Sequence, residues 1–259
     1  MIKVATWNVN SIRARLNYVL DWLKETKTDV LSMQETKVED HLFPKPEFES
    51  LGYHVYHYGQ KAYNGVATCS KEKAVKVIKG WGDEEDDEKR IITVKLPKLT
   101  VVNVYAPRGG EKGTERHAFK IYFFARLKLF LQENFSPNEP LCVVGDMNVA
   151  RVEKDVFDPL VWKNRPGFME DEREAFEDLL SFGLYDLFRE KYPDKIQYTW
   201  WDIETGAFNQ NKGLRIDYIL VTKPLLEKNL EIEIDINARK KKNGILPSDH
   251  APVWATFNI

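Results

Sequence analysis

The feature that most constrains this chain is a succession of short apolar runs, rich in β-branched and aromatic residues, with few helical stretches between them. Ten of these runs read as strands, at 2–8, 29–34, 53–58, 65–70, 74–78, 90–96, 100–105, 141–146, 216–221 and 253–259. Three segments carry helical periodicity. The first opens at Ser11, a residue able to cap it, and places Ile12, Leu16, Val19, Leu20 and Leu23 on one face. The second covers 115–132, with Phe119, Tyr122, Phe123, Leu127 and Phe130 as its apolar side, and the third covers 170–182, ended by Gly183 in a left-handed cap. Many strands with few helices predict a four-layer α/β sandwich: two packed mixed, largely antiparallel sheets flanked by helices. A doubly wound parallel fold would need more helices between its strands. There is no repeat, linker or break in composition, so 1–259 is expected to form a single domain, and 259 residues suffice for one large core.

The polar residues gather where strands end. The first run finishes in Trp7-Asn8-Val9-Asn10, the second in Gln34-Glu35-Thr36-Lys37, and the run from Leu141 in Asp146-Met147-Asn148. Another opens with Arg215-Ile216-Asp217, and the last is preceded by Ser248-Asp249-His250. Strand tips of a layered fold converge on one edge, where loops build sites. Carboxylates and carboxamides are ligands for a hard divalent cation, so Mg²⁺ is expected, with Mn²⁺ able to substitute. No cysteine–histidine set for zinc is present. Hydrolysis of a phosphodiester requires charge stabilisation, an activated water and help for the leaving oxygen. Asp146 suits the task of orienting or deprotonating water. Asp217 and His250 can pair, the carboxylate holding the ring and favouring its charged form beside a phosphate. Each residue also has an ordinary reading. A lone Asp after a strand is commonly a turn residue or helix cap. Glu35 and Asp249 can be loop charges, Asn8 a turn former and His250 a structural histidine. The recurrence of one arrangement at five strand ends favours the joint reading.

Bulk properties exclude several classes. The net charge of −2 gives no compositional case for a nucleic-acid coat protein, so any DNA-binding charge must be concentrated on one face. Cys69 and Cys142 lie in apolar runs and read as free core thiols. The strand-like run from Ile2 leaves no room for a signal peptide, and no stretch approaches membrane-spanning length. A cytoplasmic enzyme without a membrane partner is the expectation.

Eight segments, in order, give the chain a recognisable character: Thr6-Trp-Asn-Val-Asn-Ser-Ile-Arg-Ala14, Met33-Gln-Glu-Thr-Lys37, Tyr63-Asn-Gly-Val66, Asn103-Val-Tyr-Ala-Pro107, Gly145-Asp-Met-Asn-Val-Ala150, Thr199-Trp-Trp201, Gly213-Leu-Arg-Ile-Asp-Tyr218 and Pro247-Ser-Asp-His-Ala-Pro252. With them the chain resembles, over its whole length, the exonuclease III family of AP endonucleases, within the endonuclease/exonuclease/phosphatase superfamily. The resemblance implies Glu35 as principal metal ligand, with Asn8, Asp249, Asp146, Asn148 and His250 around the metal. It implies Asp146 as the residue that activates water, Asn148 as a holder of the phosphate oxygen or nucleophile, and Tyr105 at the scissile phosphate. It implies His250 on the phosphate, oriented by Asp217. Trp200, Leu214 and Ile216 match the family's abasic-site pocket. Flipping a bare sugar costs less than flipping a whole nucleotide, and a tight apolar pocket would exclude a sugar that carries a base. Read from periodicity alone, Leu214 and Ile216 would be core residues on either side of Arg215.

The implied partner is duplex DNA with abasic sites or 3′ ends, and the protein it implies is a monomer acting at the nucleoid. The implied activities are incision 5′ to the abasic site, 3′→5′ exonuclease and cleaning of 3′ ends in base excision repair. Arg13, Lys37, Tyr63, Arg90, Arg108 and Lys120 are candidate DNA contacts, positioning the duplex through phosphates. Arg239-Lys240-Lys241-Lys242 can touch phosphates or be a solvated loop, and the acidic run 83–88 is expected to be solvated. Arg108 stands where the family usually has Asn or Gln, Lys89 where it has a small residue, and 155–166 follows no familiar pattern. Two rival readings share most of these residues: a superfamily phosphatase acting on inositol phosphates or lipids, and a catalytically silent DNA-binding protein.

Overall fold

The computed structural model describes residues 1–82, 88–241 and 244–259. Among them the strands are β1 Ile2–Asn8, β2 Val30–Gln34, β3 His54–Tyr58, β4 Val66–Ser70, β5 Lys76–Lys79, β6 Ile91–Lys95, β7 Thr100–Tyr105, β8 Leu141–Asp146, β9 Leu184–Asp186, β10 Asp217–Thr222, β11 Asn229–Ile234 and β12 Val253–Phe257. The helices are α1 Ile12–Thr26, α2 Lys45–Ser50, α3 Glu115–Asn134, α4 Pro159–Trp162, α5 Glu170–Leu180, α6 Leu187–Lys191 and α7 Lys223–Leu226. The strands form two six-stranded sheets, ordered β11-β12-β1-β2-β4-β3 and β5-β6-β7-β8-β10-β9. The pairs β1/β2 and β7/β8 are parallel and the others antiparallel. The expected four-layer sandwich of mixed, largely antiparallel sheets is what forms.

The central strand β8 shows why. Cys142 and Val144 face the other sheet among Val4, Val221, Val253 and Phe257. Leu141 and Val143 face the opposite way, against Phe123, Phe124, Leu127 and Phe176 of α3 and α5. A strand covered on both faces is apolar throughout, hence its continuous hydrophobic run. On the far side of the molecule, α1 packs Val19, Leu20 and Leu23 against Ala5, Trp7, Leu31 and Met33.

Registers bring the polar tips together. Asp146 lies opposite Tyr105 on one neighbour and opposite Asp217 on the other. In the other sheet Asn8 lies opposite Gln34, one residue before Glu35. Behind this edge a buried polar strap joins the sheets. Gln34 Nε2 donates to Asn103 Oδ1 at 2.7 Å and to Thr6 Oγ1 at 2.9 Å, while Asn103 Nδ2 donates to the carbonyl of Ala67 at 2.9 Å.

Several local expectations need correction. Ser11 does not cap α1 through its side chain. Its φ is +84°, and the helix start is satisfied instead by the loop after β2: Ser11 N–H donates to Glu35 O at 2.7 Å and Ile12 N–H to Thr36 O at 3.2 Å. Helix α3 is rotated from its expected face, with Phe119 and Tyr122 exposed and Lys120 fully buried, because Lys120 meets a partner carboxylate on α5. Helix α5 ends at Leu180, and Gly183 follows at φ +112°. Strands β9 and β11 were not anticipated, the first for its three-residue length and the second because four of its six residues are Asn or Glu or lie exposed at the sheet edge. Residues 83–87 of the acidic run and Lys242 of the basic run lie outside the described residues.

Gly145, just before Asp146, has φ +142°, and a Cβ there would lie 1.8 Å from the Val104 carbonyl oxygen of β7. Gly145→Ala is therefore expected to cost about 3 kcal/mol of stability through forced separation of β7 and β8. An unchanged urea midpoint for the variant would contradict this account of the motif's glycine.

Candidate active site

The common edge of the two sheets holds a cavity of about 290 Å³. Asn8 stands at its base and links the sheets. Its Nδ2 donates to Glu35 Oε1 at 2.8 Å and to Asp146 Oδ2 at 2.9 Å. Glu35 and Asn148 adopt positive φ, +50° and +51°, where their strands turn out into loops. Asn148 folds back on Asp146: its backbone N–H donates to Oδ1 at 2.9 Å and its Nδ2 reaches Oδ2 at 3.3 Å and the Ala106 carbonyl at 2.9 Å. Asp146 is thus held on both oxygens, which removes its rotational freedom.

His250 is buried against two carboxylates. Its Nδ1 lies 2.9 Å from Asp217 Oδ2, the expected pair, and its Nε2 lies 3.8 Å from Asp146 Oδ2. Asp249 accepts from Asn10 Nδ2 at 2.9 Å and from the Trp200 indole N–H at 3.0 Å. Glu35 also pairs with Lys37 at 2.9 Å. One ligand atom from each of Glu35, Asp146 and His250 fall within 4.8 Å of one another, and with the His250 ring protonated the two carboxylates are the groups left to hold a cation. The donor set is mainly hard oxygen, which suits Mg²⁺ or Mn²⁺ better than zinc.

The electrostatics divide the acids by role. Burial opposes ionisation of Glu35, yet Lys37 and the Asn8 amide hold its carboxyl below the usual range. Burial raises Asp146 to about 7, with Asp217 and Glu35 adding to the effect and His250 opposing it. Burial works against a charged His250, but Asp217 and Asp146 overcome it and raise the imidazole to about 10. Burial, then the Glu35 and Asp146 charges, keep the Tyr105 phenol protonated well above its usual range. One edge therefore offers an anion suited to a cation, a base near neutrality, an imidazolium and a phenolic donor.

The apolar residues line the same cavity. Trp200, Leu214 and Ile216 sit on its wall beside Asp249 and His250. Leu214 and Ile216 also pack in a small core with Ala150, Val156 and Phe168, so the core reading and the pocket reading both hold for them. Arg215, between them, turns into the interior and forms paired bonds with Asp155 at 2.7 and 2.9 Å and with Asp186 at 3.0 and 2.6 Å.

Of the candidate DNA contacts, Arg13, Tyr63 and Arg108 are exposed and Lys37 partly so. Arg90 is half-buried, its guanidinium 4.8 Å from the Tyr105 ring and paired with Glu88. Lys120 is corrected: it is fully buried against Glu172 at 2.9 Å and offers nothing to a ligand outside. Arg239 of the basic run is likewise buried, donating to the Ser248 carbonyl. Sequence reasoning missed Asn10, which holds both Asp249 and Lys37, and Trp162, which meets Trp200 edge-on at 6.4 Å and lines the cavity. Asn10 stood in plain view in the Trp7–Asn10 run, whereas nothing local marks Trp162.

The chain is similar to known proteins in sequence and in fold. Residues 5–250 match the endonuclease/exonuclease/phosphatase family. An exodeoxyribonuclease III from Haemophilus influenzae is 35% identical over 271 residues, covering 99% of this chain and all of the relative. An AP endonuclease structure from Archaeoglobus fulgidus superposes with a TM-score of 0.95 at 41% identity, with both chains fully covered. A 3′-5′ exonuclease from Neisseria meningitidis does so with a TM-score of 0.94 at 33% identity, again with both chains fully covered. The chain belongs to the endonuclease/exonuclease/phosphatase family. Within that family its relatives place it in the exonuclease III and AP endonuclease branch.

The imidazole offers a direct check. His250 is raised in the folded protein, so the stability it contributes is complete below its unfolded value of 6.5 and is lost as pH rises through about 10. In the metal-free protein its ring resonances are expected to stay those of the cation from pH 6 to 9. Asp217→Asn removes the leading cause of the rise and should bring the titration down into that window. NMR titration measures it, and an unshifted midpoint in the variant would refute the pairing as the cause.

Proposed function

We propose that this protein, its residues 1–259 acting as one domain, is a Mg²⁺-dependent DNA-repair phosphodiesterase that cuts duplex DNA 5′ to abasic sites. The products are a 3′-hydroxyl and a 5′-deoxyribose phosphate. The same centre serves 3′→5′ exonuclease action and the removal of blocked 3′ ends. One observation carries this reading: the hydrolytic cluster and the Trp200/Leu214/Ile216 wall share a single cavity of about 290 Å³. A flipped bare deoxyribose can put its apolar face on that wall while its 5′ phosphate meets Asp146, Asn148 and His250. A base on the sugar would need room that the wall occupies. The relatives add support: the Archaeoglobus protein is described as an AP endonuclease, and a Neisseria 3′ phosphatase has been seen bound to a product DNA hairpin.

In the proposed reaction Asp146, held on both oxygens by Asn8 and Asn148, orients the attacking water and takes its proton. Asn148 and the His250 imidazolium hold the non-bridging phosphate oxygens, with Asp217 keeping the ring charged and aligned. Tyr105 donates its protonated phenol toward the phosphate. Glu35, with Asn8, Asp146 and Asp249 near it, would hold Mg²⁺, which supplies charge stabilisation on the phosphate and the leaving oxygen. Exposed Arg13, Tyr63 and Arg108, with Lys37 and Arg90, would bind the duplex backbone, and a monomer suffices for all of these contacts. Mn²⁺ is expected to replace Mg²⁺.

The test is incision of a duplex that carries a tetrahydrofuran abasic analogue, which cannot undergo β-elimination. Cleavage 5′ to the analogue with Mg²⁺ and none with EDTA is expected, and Asp146→Ala should lower kcat by about a thousandfold. Activity that survives EDTA, or a variant at the wild-type rate, would sink the metal-hydrolase reading. For the pocket, Trp200→Ala is expected to narrow the preference for the abasic duplex over an intact one by about tenfold. Parallel kcat/KM measurements on both duplexes decide it, since an unchanged ratio means that the wall does not set specificity.

A further inference from the structure

Lys120 is fully buried yet lies outside the hydrolytic cluster. Its Nζ uses all three of its donors: on Glu172 Oε1 at 2.9 Å, on the Asn148 carbonyl at 2.6 Å and on the Arg108 carbonyl at 3.3 Å. Glu172, equally buried, accepts at Oε2 from the N–H of Gly167 at 2.6 Å and of Met169 at 3.4 Å. One ion pair between α3 and α5 therefore ties down three separate segments: the loop after β7, the loop after β8 and the turn before α5. Each segment lines the catalytic cavity, through Arg108, Asn148 and Gly167. The packing is close: a Cβ at Gly109 would lie 2.9 Å from Lys120 Cδ and 3.1 Å from Glu172 Oε1.

A buried ion pair is seldom the most stable filling for a core, because desolvation of both charges offsets their attraction, and apolar residues of similar volume often serve as well. What the pair adds is direction. An ammonium with three fixed acceptors sets where three oxygens sit, which apolar contact cannot do. Asn148 shows the consequence. At φ +51° its carbonyl points to Lys120 while its side-chain amide reaches Asp146 and Ala106. Fixing that carbonyl fixes the residue that holds Asp146.

We propose that Lys120 and Glu172 form a positioning pair for phosphodiester hydrolysis, holding Asn148 against Asp146 and the Gly167 turn against the sugar pocket. The inference rests on the proposed roles of Asp146 and Asn148. Two variants test it: the double change Lys120→Met with Glu172→Gln, and Glu172→Gln alone. Three quantities are read on each: the unfolding midpoint, kcat and KM on the tetrahydrofuran duplex with Mg²⁺, and amide hydrogen exchange. The double variant is expected to keep its midpoint within about 5 °C, since neutral replacement of a buried pair is often tolerated. Its kcat should fall about 30-fold with KM within about threefold, as misplacement of reacting groups requires. Exchange should quicken in 106–110, 147–150 and 165–169 and nowhere else. Glu172→Gln, which keeps the shape and the acceptor for Gly167, leaves Lys120 without its counter-charge, so its midpoint should fall below that of wild type; assayed well below that midpoint it should show the same local pattern with a kcat loss of about fivefold. Wild-type kcat and unchanged exchange in a folded variant would show that the pair only fills space. If the double variant fails to fold, the single variant decides alone. If wild-type protein leaves the duplex uncut, the functional reading fails while the exchange data still decide whether the pair positions these loops.

Discussion

The site depends on one carboxamide. Asn8 Nδ2 shares its two protons between Glu35 of its own sheet and Asp146 of the facing sheet. A neutral donor between them offsets the repulsion of two carboxylates brought together where the sheets meet. Behind Asn8, the Gln34–Asn103 strap performs a similar service deeper in the interface. Each uncharged amide lets two polar surfaces meet where water is excluded, and an unmet polar group there would be costly.

The charges at the edge are arranged so that neighbours with the same chemistry behave differently. Glu35 has a cation and an amide beside it and stays ionised. Asp146, deeper and beside Asp217, holds its proton more tightly. The Asp217–His250 pair keeps a positive charge where the proposed substrate brings a phosphate. Separation of proton affinities among adjacent groups is what acid–base chemistry near neutral pH requires.

Two buried ion-pair clusters frame the cavity. Arg215 joins Asp155 and Asp186, with Arg189 also on Asp155, and so anchors the 150s loop to the start of β10, where Leu214 and Ile216 reach the cavity. Lys120 and Glu172 lie on the side of Asn148 and Gly167. Both clusters link segments far apart in sequence, and both sit just behind residues that line the cavity.

The layered class, most strands, and the meeting of Asn8, Glu35, Asp146, Asp217, Asp249 and His250 were legible in the sequence. Asn8, Asp146 and Asp217 end or open apolar strands, Glu35 directly follows one, and Asp249 and His250 lie in the segment that leads into one; strand tips in such a fold share an edge. The short β9 and the polar edge strand β11 were hidden because neither carries a long apolar run. The destinations of individual cations were hidden too. Lys120 read as a surface contact on an amphipathic helix, yet it lies inside because Glu172, 52 positions away, supplies a buried carboxylate. Arg215 turned inward for the same reason, toward Asp155 and Asp186. Trp162 reached the cavity from a short helix that no pattern connected to it. Periodicity and residue type determined which segments form buried strands and which chemistry gathers at the edge. Which charged groups find partners across the fold was decided only by tertiary structure, because a charge is buried only where a counter-charge or fixed acceptors meet it, and that meeting is not set by neighbours in sequence.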